Sequence, residues 1–192
     1  MVSDDVRTRQ DAALAERIRD GDEKAFAELF RAYHPRLCSF ITARVHSADV
    51  AEDLVMDVFR RLWHGREKWS VHTSVRAYLF RAATHAATSH VRREMAETRL
   101  TCDLHAMEGG RPPTAHRRDA PDSRIMNDEL GGAIASAIDE LPERGRAVFL
   151  LWQQALSYSD IAQALDISTR TVETHLARAL RTLRARLLTY GS

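Results

Sequence analysis

Apolar side chains recur at helical spacing in two stretches of this 192-residue sequence, and an intervening segment loses that spacing. The clearest stripe of the first stretch consists of Leu54, Val55, Val58, Phe59, Leu62 and Trp63. The second stretch opens with the series Leu130, Ile134, Ile138 and Leu141. Aromatic residues make up only 7% of the chain, which also favours helices over strands. The sequence therefore predicts an all-α protein of two small helical domains joined by a flexible linker.

Glycine and proline mark the linker, since Gly109, Gly110, Pro112, Pro113 and Pro121 all fall in a region without apolar period. We expect an N-terminal extension over residues 1–24, a first domain over 25–95, a linker over 96–125 and a second domain over 126–190.

Within the first domain, Pro35 is expected to end a helix or redirect it, because proline lacks the amide that an interior helical position donates. Gly21–Asp22 is expected to interrupt the preceding helical region, and Ser47 and Asp49 are candidate caps for the helix that follows. A later helix is predicted over residues 75–93, and its inward side chains are expected to be Tyr78, Leu79, Phe80 and Ala83.

A helix-turn-helix is predicted over residues 157–184. Ser157 and Asp160 form a capping-box pair, Asp166 makes a tight turn, and Ser168 can cap the last helix. The inward residues of that helix are expected to be Val172, Leu176, Leu180, Leu183 and Leu187. In such a unit the second helix enters the DNA major groove with its N-terminal residues at the base edges. The outward residues there are Ser168, Thr169, Arg170, Thr171, Glu173, Thr174 and Arg178. An ordinary helical hairpin with a basic face is the alternative, and the same segment also looks like the DNA-binding domain of response-regulator-type activators.

Three segments in order resemble extracytoplasmic-function (ECF) sigma factors. The segment "DVAEDLVMDVFRRLW" (49–63) is similar to their polymerase-docking helix, and "AYLFRAATHAATSHVRRE" (77–94) is similar to the helix that meets the −10 element. The segment "LPERGRAVFLLWQQALSYSDIAQALDISTRTVETHLARALRTLRARL" (141–187) closely resembles the −35-reading domain. The resemblance implies a sigma factor that directs RNA polymerase to promoters and starts transcription.

The resemblance also implies residue roles. Contacts to core polymerase, on the clamp helices of its largest subunit, would come from Asp53, Met56, Asp57 and Arg60. Contacts to −10 DNA would come from Arg76, Arg81, His85, Ser89, Arg92 and Arg93, and the outward residues of the last helix would read −35 DNA. Met56, His85 and Ser89 replace the Gln, Asn and Asp that are usual in the family, and Glu173 is acidic where a basic residue is common. The second domain would rest on the flap of the other large subunit, and an anti-sigma factor would mask both domains.

No enzymatic motif is found, so we expect no catalytic residue, no metal site and no cofactor. The N-terminus lacks the apolar run of a signal peptide, which favours a cytoplasmic protein without membrane insertion. Two other functions stay open: a stand-alone helix-turn-helix activator that uses only the second domain, and a sigma mimic that sequesters an anti-sigma factor.

Overall fold

The computed structural model describes residues 2–69, 74–107 and 128–190, and these residues form helices connected by turns. The helices are α1 Val2–Arg19, α2 Glu23–Val45, α3 Ala48–His64, α4 Val75–Met107, α5 Asp128–Asp139, α6 Glu143–Gln153, α7 Tyr158–Leu165 and α8 Thr169–Tyr190. A short 3-10 turn, Arg66–Lys68, follows α3. The predicted all-α class is confirmed.

Helices α1 to α4 pack into an N-terminal bundle around α2. Asp22 begins α2 by accepting hydrogen bonds from the amides of Lys24 (2.8 Å) and Ala25 (3.1 Å), so the predicted break at Gly21–Asp22 is confirmed. The prediction for Pro35 is wrong, because α2 runs through it as one helix of 23 residues. An interior proline costs about 3 kcal/mol. The burial of Leu29, Tyr33, Leu37, Phe40 and Ile41 along that helix offsets this cost.

Two further boundaries of the first domain differ from the sequence-based expectation. Residues 1–24 were expected to be an extension, yet α1 packs against α2 and buries Leu14, Ala15 and Ile18. The linker was expected from residue 96, yet α4 continues to Met107. Residues 108–127 lie outside the described residues. They comprise the rest of the expected linker, which ends at residue 125, and the two residues after it.

Helices α5 to α8 form a C-terminal bundle, in which α8 packs against α5, α6 and α7. The predicted capping box is present: the Ser157 hydroxyl accepts from the Asp160 amide at 3.1 Å, and the Asp160 carboxylate accepts from the Ser157 amide at 3.4 Å. Asp166 ends α7 with φ 55°, the left-handed turn that the sequence predicted. Leu180 was expected inward but is 41% exposed, and the side chain of Leu187 lies outside the described residues.

The two bundles are in contact. Helix α7 lies against α4, and α6 approaches the end of α2. Across this junction the His46 imidazole lies 3.5 Å from the Asp139 carboxylate, and Arg44 lies 4.0 Å from Glu143. None of the helices in the described ranges is long and apolar enough to cross a membrane.

Candidate nucleic-acid interface

The N-terminus of α8 forms the first candidate surface, which we call the α8 tip: residues 168–171, 173, 174 and 178. The Ser168 hydroxyl caps the helix by accepting from the Thr171 amide at 3.1 Å. Val172, Leu176 and Ala179 are buried beneath the tip and fix the rotation of the helix. Ser168, Thr169, Arg170, Glu173, Thr174 and Arg178 are exposed, and Thr171 is half-buried.

Side chains of the α8 tip differ in how many of their polar groups are already engaged. The Thr171 and Ser168 hydroxyls are 2.8 Å apart, and the Thr174 hydroxyl donates to the Arg170 carbonyl at 2.9 Å. Glu173 and Arg178 form no ion pair with the described residues. The same holds for the exposed Arg170 guanidinium. These three long side chains are therefore available to base edges or phosphates.

A row of exposed side chains on α4 forms the second candidate surface, the α4 stripe. It consists of Arg81, His85, Ser89, Arg92 and Arg93. The first three follow one another at a spacing of four residues, and the adjacent arginines lie three and four residues beyond Ser89. Arg93 is tied to the helix, since its Nε donates to the Ser89 carbonyl at 3.4 Å. The stripe carries three guanidinium groups and no acid, so it can track a phosphate backbone.

Arg76 does not belong to the α4 stripe. Its side chain is buried, and it pairs at 2.8 Å with Asp160 of α7. At 100° per residue, Arg76 falls on the same helix face as Phe80, Ala83 and Ala87, which are all buried. The spacing of four, seven and eleven residues already placed it on the core face, and the assignment to a DNA-facing surface overlooked this signal.

Tyr78 extends the α4 stripe by one turn and was missed. The sequence placed it inward, but it is 42% exposed, and its ring lies 5.5 Å from that of Trp69. Tyr78 lies three residues before Arg81 and seven before His85, which is the spacing of residues on one helix face. This spacing could have predicted its place on the exposed face. An exposed tyrosine at the end of a basic stripe can stack on an unpaired base.

The outer face of α3 forms the third surface, the α3 face: Asp53, Met56, Asp57 and Arg60. Met56 is 49% exposed, an apolar side chain among charges. Asp57 pairs within the helix, with Arg60 at 2.9 Å and Arg61 at 3.8 Å. Asp53 forms no ion pair with the described residues and is exposed. The two carboxylates are thus unequal: a basic partner meets Asp53 directly and must compete with arginine for Asp57.

A buried polar cluster lies behind α4. The Tyr33 hydroxyl donates to the Asp11 carboxylate of α1, and the Arg36 guanidinium lies 5.6 Å from the centre of the Tyr33 ring. Burial raises the pKa of Asp11 above its ordinary value, although the hydrogen bond from Tyr33 and the charges of Arg76, Arg7 and Arg36 oppose the shift. Burial also raises the pKa of Tyr33 and lowers that of Arg36. Among the described residues no group of three His, Cys, Asp or Glu side chains is arranged to hold a metal ion.

Two known protein families match this chain, one in each bundle. The family described as "Sigma-70 region 2" matches residues 29–97, which include the α3 face and the α4 stripe. The family described as "Sigma-70, region 4" matches residues 131–183, which include the α8 tip.

Curated proteins of similar sequence span almost the same length. The ECF RNA polymerase sigma-E factor of Haemophilus influenzae is 29% identical over 88% of this chain and 90% of its own. The RNA polymerase sigma-H factor of Pseudomonas aeruginosa is 27% identical over 88% and 90%. The ECF RNA polymerase sigma factor SigW of Bacillus subtilis is 26% identical over 88% and 92%.

Two solved structures share the fold. CnrH, in complex with the cytosolic domain of CnrY, superposes with a TM-score of 0.69 at 22% identity, over 95% of this chain and 99% of that one. The sigma factor RpoE of Bartonella quintana, in complex with the anti-sigma factor NepR, gives 0.63 at 22% identity, over 85% and 97%.

Proposed function

Because the chain belongs to the ECF group of sigma-70-type RNA polymerase sigma factors, we propose that its three exposed surfaces divide the recognition of polymerase and promoter between them. The chain is a transcription initiation factor, and the chemistry of RNA synthesis belongs to the polymerase. The three surfaces fall inside the two segments that match sigma-70 regions 2 and 4.

The α3 face docks on the clamp helices of the largest polymerase subunit. Its exposed carboxylate, Asp53, and the neighbouring Asp57 repel each other modestly at a spacing of four residues, and a basic partner relieves that repulsion. Met56 supplies an apolar contact between the charges. Asp57 gains less from docking than Asp53, because Arg60 already neutralises it within the helix.

The α4 stripe holds promoter DNA around the −10 element. Its arginines suit the phosphates of separated strands, and Tyr78 offers a stacking surface beside them. His85 and Ser89, which differ from the usual residues of the family, would set the −10 preference of this chain.

The α8 tip reads duplex DNA at the −35 element, and its geometry carries the proposal. It is the N-terminus of the second helix of a helix-turn-helix, it is exposed, and its three long side chains, Arg170, Glu173 and Arg178, form no ion pair with the described residues. Glu173 can accept from a cytosine amino group, and Arg178 can bind guanine or phosphate.

Further partners follow from the same assignment. We expect the C-terminal bundle to rest on the flap of the second large subunit and the protein to act in the cytoplasm. An anti-sigma factor is expected to bind both bundles; the likeness to RpoE, whose structure was solved with the anti-sigma factor NepR, supports this expectation.

Transcription in vitro tests the proposal. Purified core polymerase is combined with fragmented genomic DNA, with and without this protein, and the new transcripts are mapped. Transcripts that start downstream of one shared pair of sequence elements are expected, and Arg178→Ala should reduce them while binding to core is retained.

Two outcomes of this experiment would contradict the proposal. Core binding without any new transcript would indicate a sigma mimic. Absence of core binding, with specific binding to duplex DNA retained, would leave the stand-alone activator.

A further inference from the structure

A cavity of about 260 Å³ lies where α2, α4, α6 and the end of α7 meet. Three arginines and a single carboxylate line it: Arg44 of α2, Arg92 of α4, Arg144 of α6 and Glu143 of α6. Arg92 and Arg144 are exposed and form no ion pair with the described residues. The lining therefore carries an excess of positive charge, which a bound anion would balance.

Arg44 is the buried member of this set, since its side chain is only 9% exposed. Its Nε and Nη1 atoms are buried and have no acceptor among the described residues. Its Nη2 atom has two distant partners, the Thr88 hydroxyl at 3.4 Å and the Glu143 carboxylate at 4.0 Å. Because a buried charged donor without an acceptor costs free energy, Arg44 would gain from an anion in the cavity.

The electrostatic surroundings of Arg44 also disfavour its charge. Burial lowers the pKa of the guanidinium, the charge of Arg146 lowers it further, and Glu143 opposes the shift. Glu143 is a weak counter-ion, because its side chain is 73% exposed and lies at the limit of ion-pair distance. An anion beside Arg44 would supply the counter-charge that the protein itself provides only weakly.

Other donors line the same cavity. The Thr88 hydroxyl accepts from Arg44, so its own proton can be donated to a ligand. Helix α6 begins at Glu143, and its N-cap Pro142 supplies no side-chain hydrogen bond to the amides of the first turn. Such uncapped amides favour an anion. Guanidinium groups bind phosphate through two parallel N–H bonds, so this set of donors suits a phosphoryl group better than a carboxylate alone.

The volume and the apolar part of the lining limit the ligand. The space equals that of roughly nine water molecules at ~30 Å³ each, and it lies below the range of about 300–1,000 Å³ that is usual for drug-sized ligands. Ala147, Leu165 and Ile167 form the apolar part. The cavity therefore suits one or two phosphoryl groups on a small body.

We propose that this cavity is a binding site for a small phosphorylated metabolite, formed by Arg44, Thr88, Arg92, Arg144 and the first turn of α6. Arg44 binds the phosphoryl group from the buried side, and the exposed Arg92 and Arg144 bind it from the solvent side. The apolar residues contact the remainder of the molecule. The site requires neither polymerase nor promoter, so it can be tested independently of the proposed function.

Calorimetric titration of the full chain with inorganic diphosphate tests the site. The wild type should bind one diphosphate with a Kd below about 1 mM, and sulfate should bind more weakly. Arg144→Gln should weaken binding about three- to tenfold, and Arg44→Gln about 10- to 100-fold. The matched control is Arg31→Gln, an exposed arginine of α2 outside the cavity, which should bind as the wild type does.

Glu143→Gln gives a prediction of opposite sign. It removes the carboxylate that competes with the ligand for Arg44, so diphosphate should bind about two- to fivefold more tightly. Because Glu143 is exposed, this variant tests the site even where Arg44→Gln fails to fold. Glu28→Gln, an exposed glutamate of α2, is the control and should leave the affinity unchanged.

Three results would overturn the site. The first is that the wild type does not bind diphosphate, or binds sulfate equally well. The second is that Arg144→Gln and Glu143→Gln both keep the wild-type affinity, or that Arg31→Gln weakens binding as much as Arg144→Gln does. The third is that a short single-stranded oligonucleotide displaces diphosphate and loses affinity in Arg144→Gln, which would assign these arginines to the phosphates of DNA.

Discussion

The α8 tip and the α4 stripe are both exposed polar faces of amphipathic helices, but they rest on different supports. Beneath the α8 tip lie Val172 and Leu176 of its own bundle. Behind the α4 stripe, the same helix uses Arg76 to hold the other bundle. Arg92, at the edge of the stripe, also lines a cavity between the bundles that Leu165 and Ile167 border.

The difference indicates that the two surfaces depend on the domain arrangement to different degrees. All residues of the α8 tip belong to one bundle. Its short hydroxyl side chains allow the helix backbone to approach DNA closely. The α4 stripe borders the junction, so its environment changes when the bundles part. Duplex recognition should therefore be local, and −10 recognition should respond to whether the two bundles are in contact.

Arg178→Ala should have the largest effect, a loss of affinity for −35 duplex DNA. Loss of a side chain that binds a base edge costs about 1–3 kcal/mol, or roughly 5- to 150-fold in affinity for −35 duplex. Arg184→Ala, an exposed arginine two turns further along α8, is the control. Competition binding of holoenzyme to DNA with consensus and with scrambled −35 sequences measures the affinity of both variants. Equal losses on the two DNAs for Arg178→Ala would reduce it to a phosphate contact.

Ser168→Ala should have the next effect, because it removes the cap of α8 and the hydroxyl partner of Thr171. Loss of a serine cap costs about 1 kcal/mol of stability. Chemical denaturation followed by circular dichroism measures the loss, and Ser159→Ala, an exposed serine inside α7, should change little. Equal stability of the two variants would mean that packing alone, as on Val172, holds the tip in place.

Arg81→Gln and Arg93→Gln should have a smaller, electrostatic effect. Each removes one phosphate contact from the α4 stripe, which should lower the slope of log affinity against log salt by about 0.7–0.9. The slope is measured with holoenzyme on DNA opened at the −10 element. Arg76→Gln should leave the slope unchanged, because that side chain lies on the opposite face of α4. A reduced slope for Arg76→Gln would place it back among the DNA contacts.

The sequence correctly predicted the features that depend on residues only a few positions apart. The capping box of Ser157 and Asp160, the left-handed turn at Asp166 and the cap at Ser168 all depend on residues within a few positions. The α3 face and the α8 tip lie on such elements, and their exposure was predictable from the same periodicity. What each surface binds came only from the family resemblance, and it stays a proposal.

Tertiary packing decided the elements that the sequence predicted wrongly. Pro35 did not break α2, because the apolar residues on both sides of it are buried in one core. Asp11 joins a buried cluster through Tyr33, 22 residues away, and no local pattern predicts that bond. The spacing of Leu14 and Ile18, which are both buried, was the local signal that residues 1–24 include a packed helix. The pairing of Arg76 with Asp160 joins residues of two bundles, and only the folded arrangement reveals it.

Asp11 should make the stability of the N-terminal bundle depend on pH, as the smallest of these effects. Burial raises its pKa in the folded protein above 3.8, against the opposing influence of Tyr33 and Arg36 of α2, Arg76 of α4 and Arg7 of α1. A carboxyl with a raised pKa contributes most stability below its unfolded pKa and loses that contribution as pH rises through the folded value. The free energy of unfolding of the wild type, minus that of Asp11→Asn, should therefore fall as pH rises from about 4 to 7. Urea unfolding at several pH values measures this difference, and a difference that rose with pH would mean that the arginines, rather than burial, govern Asp11.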